Sequence, residues 1–300
     1  MNKVLIIGGP TASGKSQLAI EAAEYFNGVI INADSQQVYK HIPILTACPS
    51  ENDKQKVSHR LYEIYEPYES GSVVDWLNLA VEEIRDVWQE GKLPIVVGGT
   101  GLYIDNLING TTPIPETPQN IRKKIAQQME ELGVNEMHRR LNEFDADTAQ
   151  RLNPNDTTRV RRAFEVYEST GRILSEWHKL PMQKKLPEAD FEIWKIIPSQ
   201  AELDTRCYLR FDKMMQLGAL DEAKYIKKLG LSADLPAMRA LGLPELIDYL
   251  NNKCDLSTAI DMAKLHSRQY AKRQRTWFGN KLEAQKVFDY CYNGDVSIWR

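Results

Sequence analysis

Residues 9–16 read Gly9, Pro10, Thr11, Ala12, Ser13, Gly14, Lys15 and Ser16, which fits the pattern G-x-x-x-x-G-K-[ST]. The segment follows an apolar run at 4–7 and opens a helical pattern over 15–25, the context that gives the pattern its meaning. Backbone N–H groups of such a loop and the positive end of the following helix surround phosphate oxygens. Lys15 adds a mobile positive charge, and the Ser16 hydroxyl is placed to ligate Mg²⁺. The motif announces a phosphate ligand and leaves the reaction open.

Two further segments narrow it. The apolar run at 93–97 leads into Gly98, Gly99, Thr100 and Gly101, where a nucleotide hydrolase would carry an aspartate. That substitution weighs against ATP hydrolysis and leaves another use for the cradle, holding a diphosphate that departs as a leaving group. The second expected strand, 29–31, runs into Asp34, Ser35, Gln36 and Gln37. Ligands of open parallel sheets bind outside the carboxyl ends of the strands, so Asp34 and Thr100 should face the loop from neighbouring strands. Asp34 is a candidate general base, and an aspartate that only caps the next helix is the competing reading. Ser35, Gln36 and Gln37 suit the reading of a base edge, or are simply a polar loop.

Positioning these residues requires strands alternating with helices, and the first third of the chain has that pattern. Ser72 and Asp75 form a capping box for a helix to about residue 90, closed by Gly91, before the strand at 93–97. After Gly110, prolines at 113, 115 and 118 mark a boundary, and residues 111–187 read as helical, with segments at 118–132, 134–144 and 157–169. A strand is expected at 191–197, then helices at 202–229, 243–251 and 257–278. The expected architecture is α/β: a P-loop NTPase-like parallel sheet core flanked by helices, formed by 1–110 and 188–300, with an all-helical insertion at 111–187.

The chain of 300 residues carries a net charge of −3, which excludes a globally basic nucleic-acid coat. No apolar run approaches the roughly 20 residues of a membrane span, so no membrane association and a cytoplasmic location are expected. Cys48, Cys207, Cys254 and Cys291 are scattered without metal-ligand spacing and are expected as free thiols. His41, His59, His138, His178 and His266 form no site-like spacing.

Together, the loop at 9–16, Asp-Ser-Gln-Gln-Val-Tyr at 34–39, Val-Gly-Gly-Thr-Gly-Leu-Tyr at 97–103 and Lys-Arg-Gln-Arg-Thr-Trp-Phe at 272–278 resemble the tRNA dimethylallyltransferases, also called tRNA isopentenyltransferases. The resemblance implies transfer of a dimethylallyl group from dimethylallyl diphosphate to the exocyclic N6 amine of the adenosine just 3′ of the anticodon. It implies that residues 9–16 bind the diphosphate, with Mg²⁺ on Ser16. Asp34 would accept or orient the amine proton, Thr100 would stand beside the reacting centre, and Arg206 would approach the diphosphate with Arg210 one helical turn on. A monomer is expected. The alternatives are a small-molecule kinase, a prenyltransferase acting on free AMP, and a non-catalytic RNA-binding module.

Positive charge is local: Arg151, Arg159, Arg161 and Arg162 face one acid between 151 and 162, and seven basic residues face one acid between 264 and 286. A solvated helix face is the plain reading. The resemblance assigns Arg159, Arg161, Arg162, Lys272, Arg273 and Arg275 to the tRNA anticodon stem-loop, with Asp34 to Gln37 and Thr100 at the target base. That base must be turned out of its stack. Trp277 and Phe278 read either as stacking platforms for it or as core. Two segments differ from the family's habit: Leu45 and Cys48 stand where it has glycine and lysine, and Leu243 and Pro244 follow Gly242 in place of aromatic and basic residues.

Overall fold

Strand β1 (Lys3–Gly8) is buried at every position after Lys3, which a strand achieves only inside a sheet covered on both faces. The computed structural model describes residues 2–299. Its sheet has the order β3-β2-β4-β1-β5-β6 and every pairing is parallel, with β2 (Gly28–Asn32), β3 (His59–Arg60), β4 (Leu93–Gly98), β5 (Asp190–Ile196) and β6 (Lys286–Phe288). The period of two sends alternate β1 residues to opposite faces. Leu5 and Ile7, with Ile30, Ile95 and Val97, pack against Leu18, Ala19, Ala22 and Ala23 of α1 (Lys15–Phe26). Val4 and Ile6, with Val29, Ile31 and Val96, belong to the other core layer.

Short helices α2 (Pro43–Thr46) and α3 (Glu51–Lys56) follow β2. The expected capping box opens α4 (Val73–Gln89): Ser72 Oγ accepts from the Asp75 N–H at 3.1 Å, and Asp75 Oδ2 accepts from the Ser72 N–H at 2.8 Å. Trp76, Ala80 and Ile84 of α4 join that second core layer with Ile104 of α5 (Gly101–Asn109).

Asn109–Lys184 form a separate compact unit, and the rest of the described chain forms the other. The helical unit begins slightly before the expected 111 and ends before 187, because a bridge between Thr111 and Gln183 closes its base; their N–H and C=O groups exchange bonds of 3.1 and 2.9 Å. It comprises α6 (Gln119–Phe144), α7 (Ala146–Arg151), α8 (Thr157–Thr170) and α9 (Leu174–Trp177). The two helices expected at 118–132 and 134–144 are two segments of α6, meeting at Gly133, whose φ of 75° and ψ of 157° are not helical. Asp145 is buried, and its carboxylate accepts from the Thr148 N–H and hydroxyl and the Ser175 N–H, which joins α7 to α9.

Back in the sheet unit, the helix expected over 202–229 is two helices, α10 (Gln200–Leu217) and α11 (Ala219–Lys228), because Gly218 at φ 109° turns the chain between them. Helix α12 (Leu243–Leu250) precedes the long α13 (Leu256–Lys281). The strand order puts β4 between β1 and β2, with Gly8 level with Gly98 and Asn32 level with Val97. The tips of these three strands therefore open on one crevice, and they carry the loop at 9–16, Thr100 and Asp34.

Candidate active site

The loop at 9–16 is built for close approach. Gly14 takes φ 94° at the N-cap of α1, and a Cβ there would collide with the carbonyl oxygen of Tyr292, so both its conformation and its neighbour require glycine. Tyr292 lies on the C-terminal segment, and its N–H donates to the Ser13 carbonyl at 2.9 Å. The Ser13 hydroxyl is buried with no hydrogen-bond partner among the described residues. Lys15 Nζ donates to the Pro10 carbonyl at 2.6 Å, folding the ammonium over the loop it serves.

Burial pulls the Lys15 pKa from 10.5 down to about 8; the Arg210 guanidinium adds to that effect and Asp34 opposes it. A bound diphosphate favours the charged ammonium, so above about pH 8 binding must take up a proton and its affinity falls. The affinity for inorganic diphosphate, measured from about pH 7 to about pH 9 and divided by that of Lys15→Arg, is expected to drop across this range. The arginine keeps its charge throughout and so cancels the ligand's own titration; a flat ratio contradicts the assignment.

No helix opens at Asp34, the next one being α2, so the helix-capping reading does not hold. Asp34 Oδ1 accepts from the Gln36 N–H at 3.0 Å, closing an Asx turn, while its own N–H donates to Asn32 Oδ1 at 2.9 Å. Its carboxylate also lines the crevice beside Gly99. Thr100 Oγ1 accepts from the Ser35 N–H at 2.9 Å and donates to Ser35 Oγ at 3.2 Å, which ties the β4 tip to the β2 tip. Gln36 lines the crevice with a buried Oε1 that has no partner among the described residues. Gln37 also lines the crevice, and it donates to the carbonyls of Thr46 and Ala47, at 3.0 and 2.7 Å, and so holds the end of α2.

Two adjoining cavities share Thr11, Asp34, Thr46 and Arg210. One, of about 220 Å³, is lined by Ala12, Gly14, Lys15 and Ser16 of the loop. The other, of about 320 Å³, is lined by Ser35, Gln36, Leu45, Arg239, Tyr270 and Arg273. Arg273 lies over the Tyr270 ring at 5.7 Å. Asp34 and Arg210 thus stand at the junction of a cationic cradle and a pocket with aromatic, amide and guanidinium walls.

Arg206 does not line either cavity; its Nη1 donates to the Tyr292 carbonyl at 3.2 Å, over Gly14. Its neighbour Arg210, singled out in the sequence only for its spacing, is the α10 arginine in the crevice, and burial lowers its pKa. Arg275 Nε donates to the Pro198 carbonyl at 2.6 Å, and Lys272 is exposed away from both cavities. Phe278 is fully buried against Gly8, so the core reading holds for it, while Trp277 is half-buried and rests on Gly101. Leu45 is buried, and Glu222 accepts its N–H and that of Ile44 at 2.9 and 2.8 Å. Burial pushes the Cys48 thiol up to about 12, which leaves it neutral.

No cluster of three or more His, Cys, Asp or Glu side chains among the described residues could hold a metal ion. Ser16 lines the loop-side cavity, and its hydroxyl is an oxygen donor of the kind that would suit Mg²⁺. In the helical unit, Arg159 is 73% exposed and pairs with Asp156, Arg161 lies 3.4 Å from Glu165, and Arg162 Nη1 donates to Thr117 Oγ1 at 2.7 Å.

Residues 37–281 match the family model described as IPP transferase. The chain belongs to the IPP transferase family. Within this family it is 43% identical to the tRNA dimethylallyltransferase of Zymomonas mobilis over 95% of this chain and 91% of that one. It is also 43% identical to the protein of that name from Rhodospirillum centenum, with the same coverage. Among solved IPP transferase structures, the tRNA isopentenylpyrophosphate transferase of Bacillus halodurans is 33% identical, with a TM-score of 0.69 over 99% of this chain and 93% of that one. A eukaryotic dimethylallyltransferase described as acting on tRNA is 30% identical, with a TM-score of 0.79 over 93% of this chain and 70% of that one.

Proposed function

We propose that this enzyme transfers a dimethylallyl group from dimethylallyl diphosphate to the N6 amine of the adenosine 3′-adjacent to the anticodon of tRNA, releasing diphosphate. The observation that carries the reading is the pair of joined cavities, with Lys15 in one, Tyr270 and Arg273 in the other, and Asp34 and Arg210 where they meet. Relatives across the family carry the corresponding name.

An adenine amine is a weak nucleophile because its lone pair is delocalised into the ring, so the leaving group must do much of the driving. The amine nitrogen attacks the allylic carbon, the C–O bond breaks with its electron pair going to diphosphate, and an amine proton passes to Asp34. Donors fixed before the reaction stabilise the charge that develops on diphosphate: the loop N–H groups, Lys15 and Arg210. Mg²⁺, where bound, would be held by Ser16 and would supply positive charge to the leaving group. Arg206 steadies the Tyr292 carbonyl that roofs Gly14 and so supports the loop. On the acceptor side, Ser35 and Gln36 offer hydrogen bonds to the base, and Tyr270 with Arg273 offers a stacking surface.

The helical unit contributes tRNA affinity through Arg159, Arg161 and Arg162. Arg159→Ala is expected to weaken tRNA binding and to lower the slope of log affinity against log salt by about 0.7–0.9, one phosphate contact. Filter binding across a salt series measures it, and an unchanged slope removes Arg159 from the interface. The function itself is tested by digesting product tRNA to nucleosides and weighing them. The adenosine after the anticodon should carry one added dimethylallyl group, and unmodified nucleosides throughout contradict the proposal.

A further inference from the structure

Gln274 is a buried polar residue on α13, 6% exposed, among the basic residues of the 272–278 motif. Its Oε1 accepts from the Thr11 N–H at 2.8 Å, and its Nε2 donates to the Gly99 carbonyl at 2.7 Å. A Cβ on Gly99 would occupy the space of this amide, so glycine is what lets the side chain lie on the β4 tip. Tyr270, one turn earlier on the same helix, interacts with the same side chain and lines the acceptor cavity. One amide thus touches the phosphate loop, the turn that presents Thr100, and a wall of the acceptor pocket.

We infer that Gln274 is a positioning residue that locks the phosphate loop to the Thr100 turn and joins both to the acceptor wall. This rests on the reading of the crevice as a donor and acceptor site. An amide is the neutral side chain able to accept from the Thr11 N–H with one end and donate to the Gly99 carbonyl with the other. Removing it leaves a donor and an acceptor without this partner at the point where the diphosphate must be held.

Gln274→Met fills similar space without either bond and is expected to raise the KM for dimethylallyl diphosphate about tenfold while leaving tRNA binding within about twofold. Gln274→Glu provides the sharper readout. As a carboxylate it still accepts from Thr11 but meets the Gly99 carbonyl with negative charge; as the neutral acid it reproduces both bonds. The ratio of its donor KM to that of the native protein is expected to fall toward one as pH is lowered. Asp34 from the β2 tip, Lys15 from the loop, Arg210 from α10, and Tyr270 and Arg273 from α13 line the same crevice and are present in both proteins, so the ratio isolates residue 274. A pH-independent ratio, or a native donor KM in both variants, overturns the inference. Direct titration with inorganic diphosphate separates this from the reaction assignment: weakened binding by Gln274→Met supports the inference even if no tRNA product forms, and native binding contradicts it.

Discussion

Lys15→Met is expected to reduce kcat/KM for dimethylallyl diphosphate by about 10³-fold or more, with the protein still folded. Preformed charge aimed at a leaving group is commonly worth two to three orders of magnitude for each donor removed, and Lys15 also contributes to ground-state binding. Its ammonium is held 2.6 Å from the Pro10 carbonyl, so it is retained at the loop and need only exchange one oxygen for another when the diphosphate arrives. Burial disfavours the ammonium form and lowers its pKa, so removing the charge takes away an unfavourable contribution to folding. Both kcat and KM should suffer, since the charge acts on the bound diphosphate and more strongly on the departing one. Steady-state kinetics with unchanged thermal unfolding would bear this out; a loss below about tenfold would remove Lys15 from the chemistry.

The second large effect is at Asp34. Asp34→Asn keeps an oxygen for the Gln36 N–H and so preserves the Asx turn, but it cannot take a proton. Single-turnover transfer should slow by about 10²–10⁴-fold, the usual contribution of a general base, while tRNA affinity stays within about twofold. Asp34→Ala removes the turn contact as well and should disturb Ser35 and Gln36, so the asparagine variant is the cleaner test. Weakened tRNA binding with a normal single-turnover rate would make Asp34 a binding residue and leave proton removal to water.

The parts of the site that the sequence displayed are those written in local spacing. The phosphate loop is eight consecutive residues between a strand and a helix, and Asp34 and Thr100 are polar side chains just beyond two apolar strands, so sheet topology alone brings them together. Arg206 and Arg210 are one turn apart on α10, and spacing offers no means to tell which reaches the crevice. That is decided by the C-terminal segment, whose Tyr292 carbonyl engages Arg206. Gln274 is equally hidden, because its partners Thr11 and Gly99 lie 263 and 175 residues away. Strands β3 and β6, of two and three residues, are too short to carry a periodic signal, and they form because β2 and β5 offer them an edge. The break at Gly218 is legible as a glycine in a helical run, yet only its left-handed φ separates α10 from α11.

The most direct test of the joined donor and acceptor cavities is transfer of label from radiolabelled dimethylallyl diphosphate, with Mg²⁺, to three acceptors in parallel. These are unmodified tRNA with adenosine after the anticodon, the same tRNA with guanosine there, and free AMP. Label in the first acceptor alone is the predicted result. Label in AMP, or no label in any acceptor while added ATP is consumed, would contradict it.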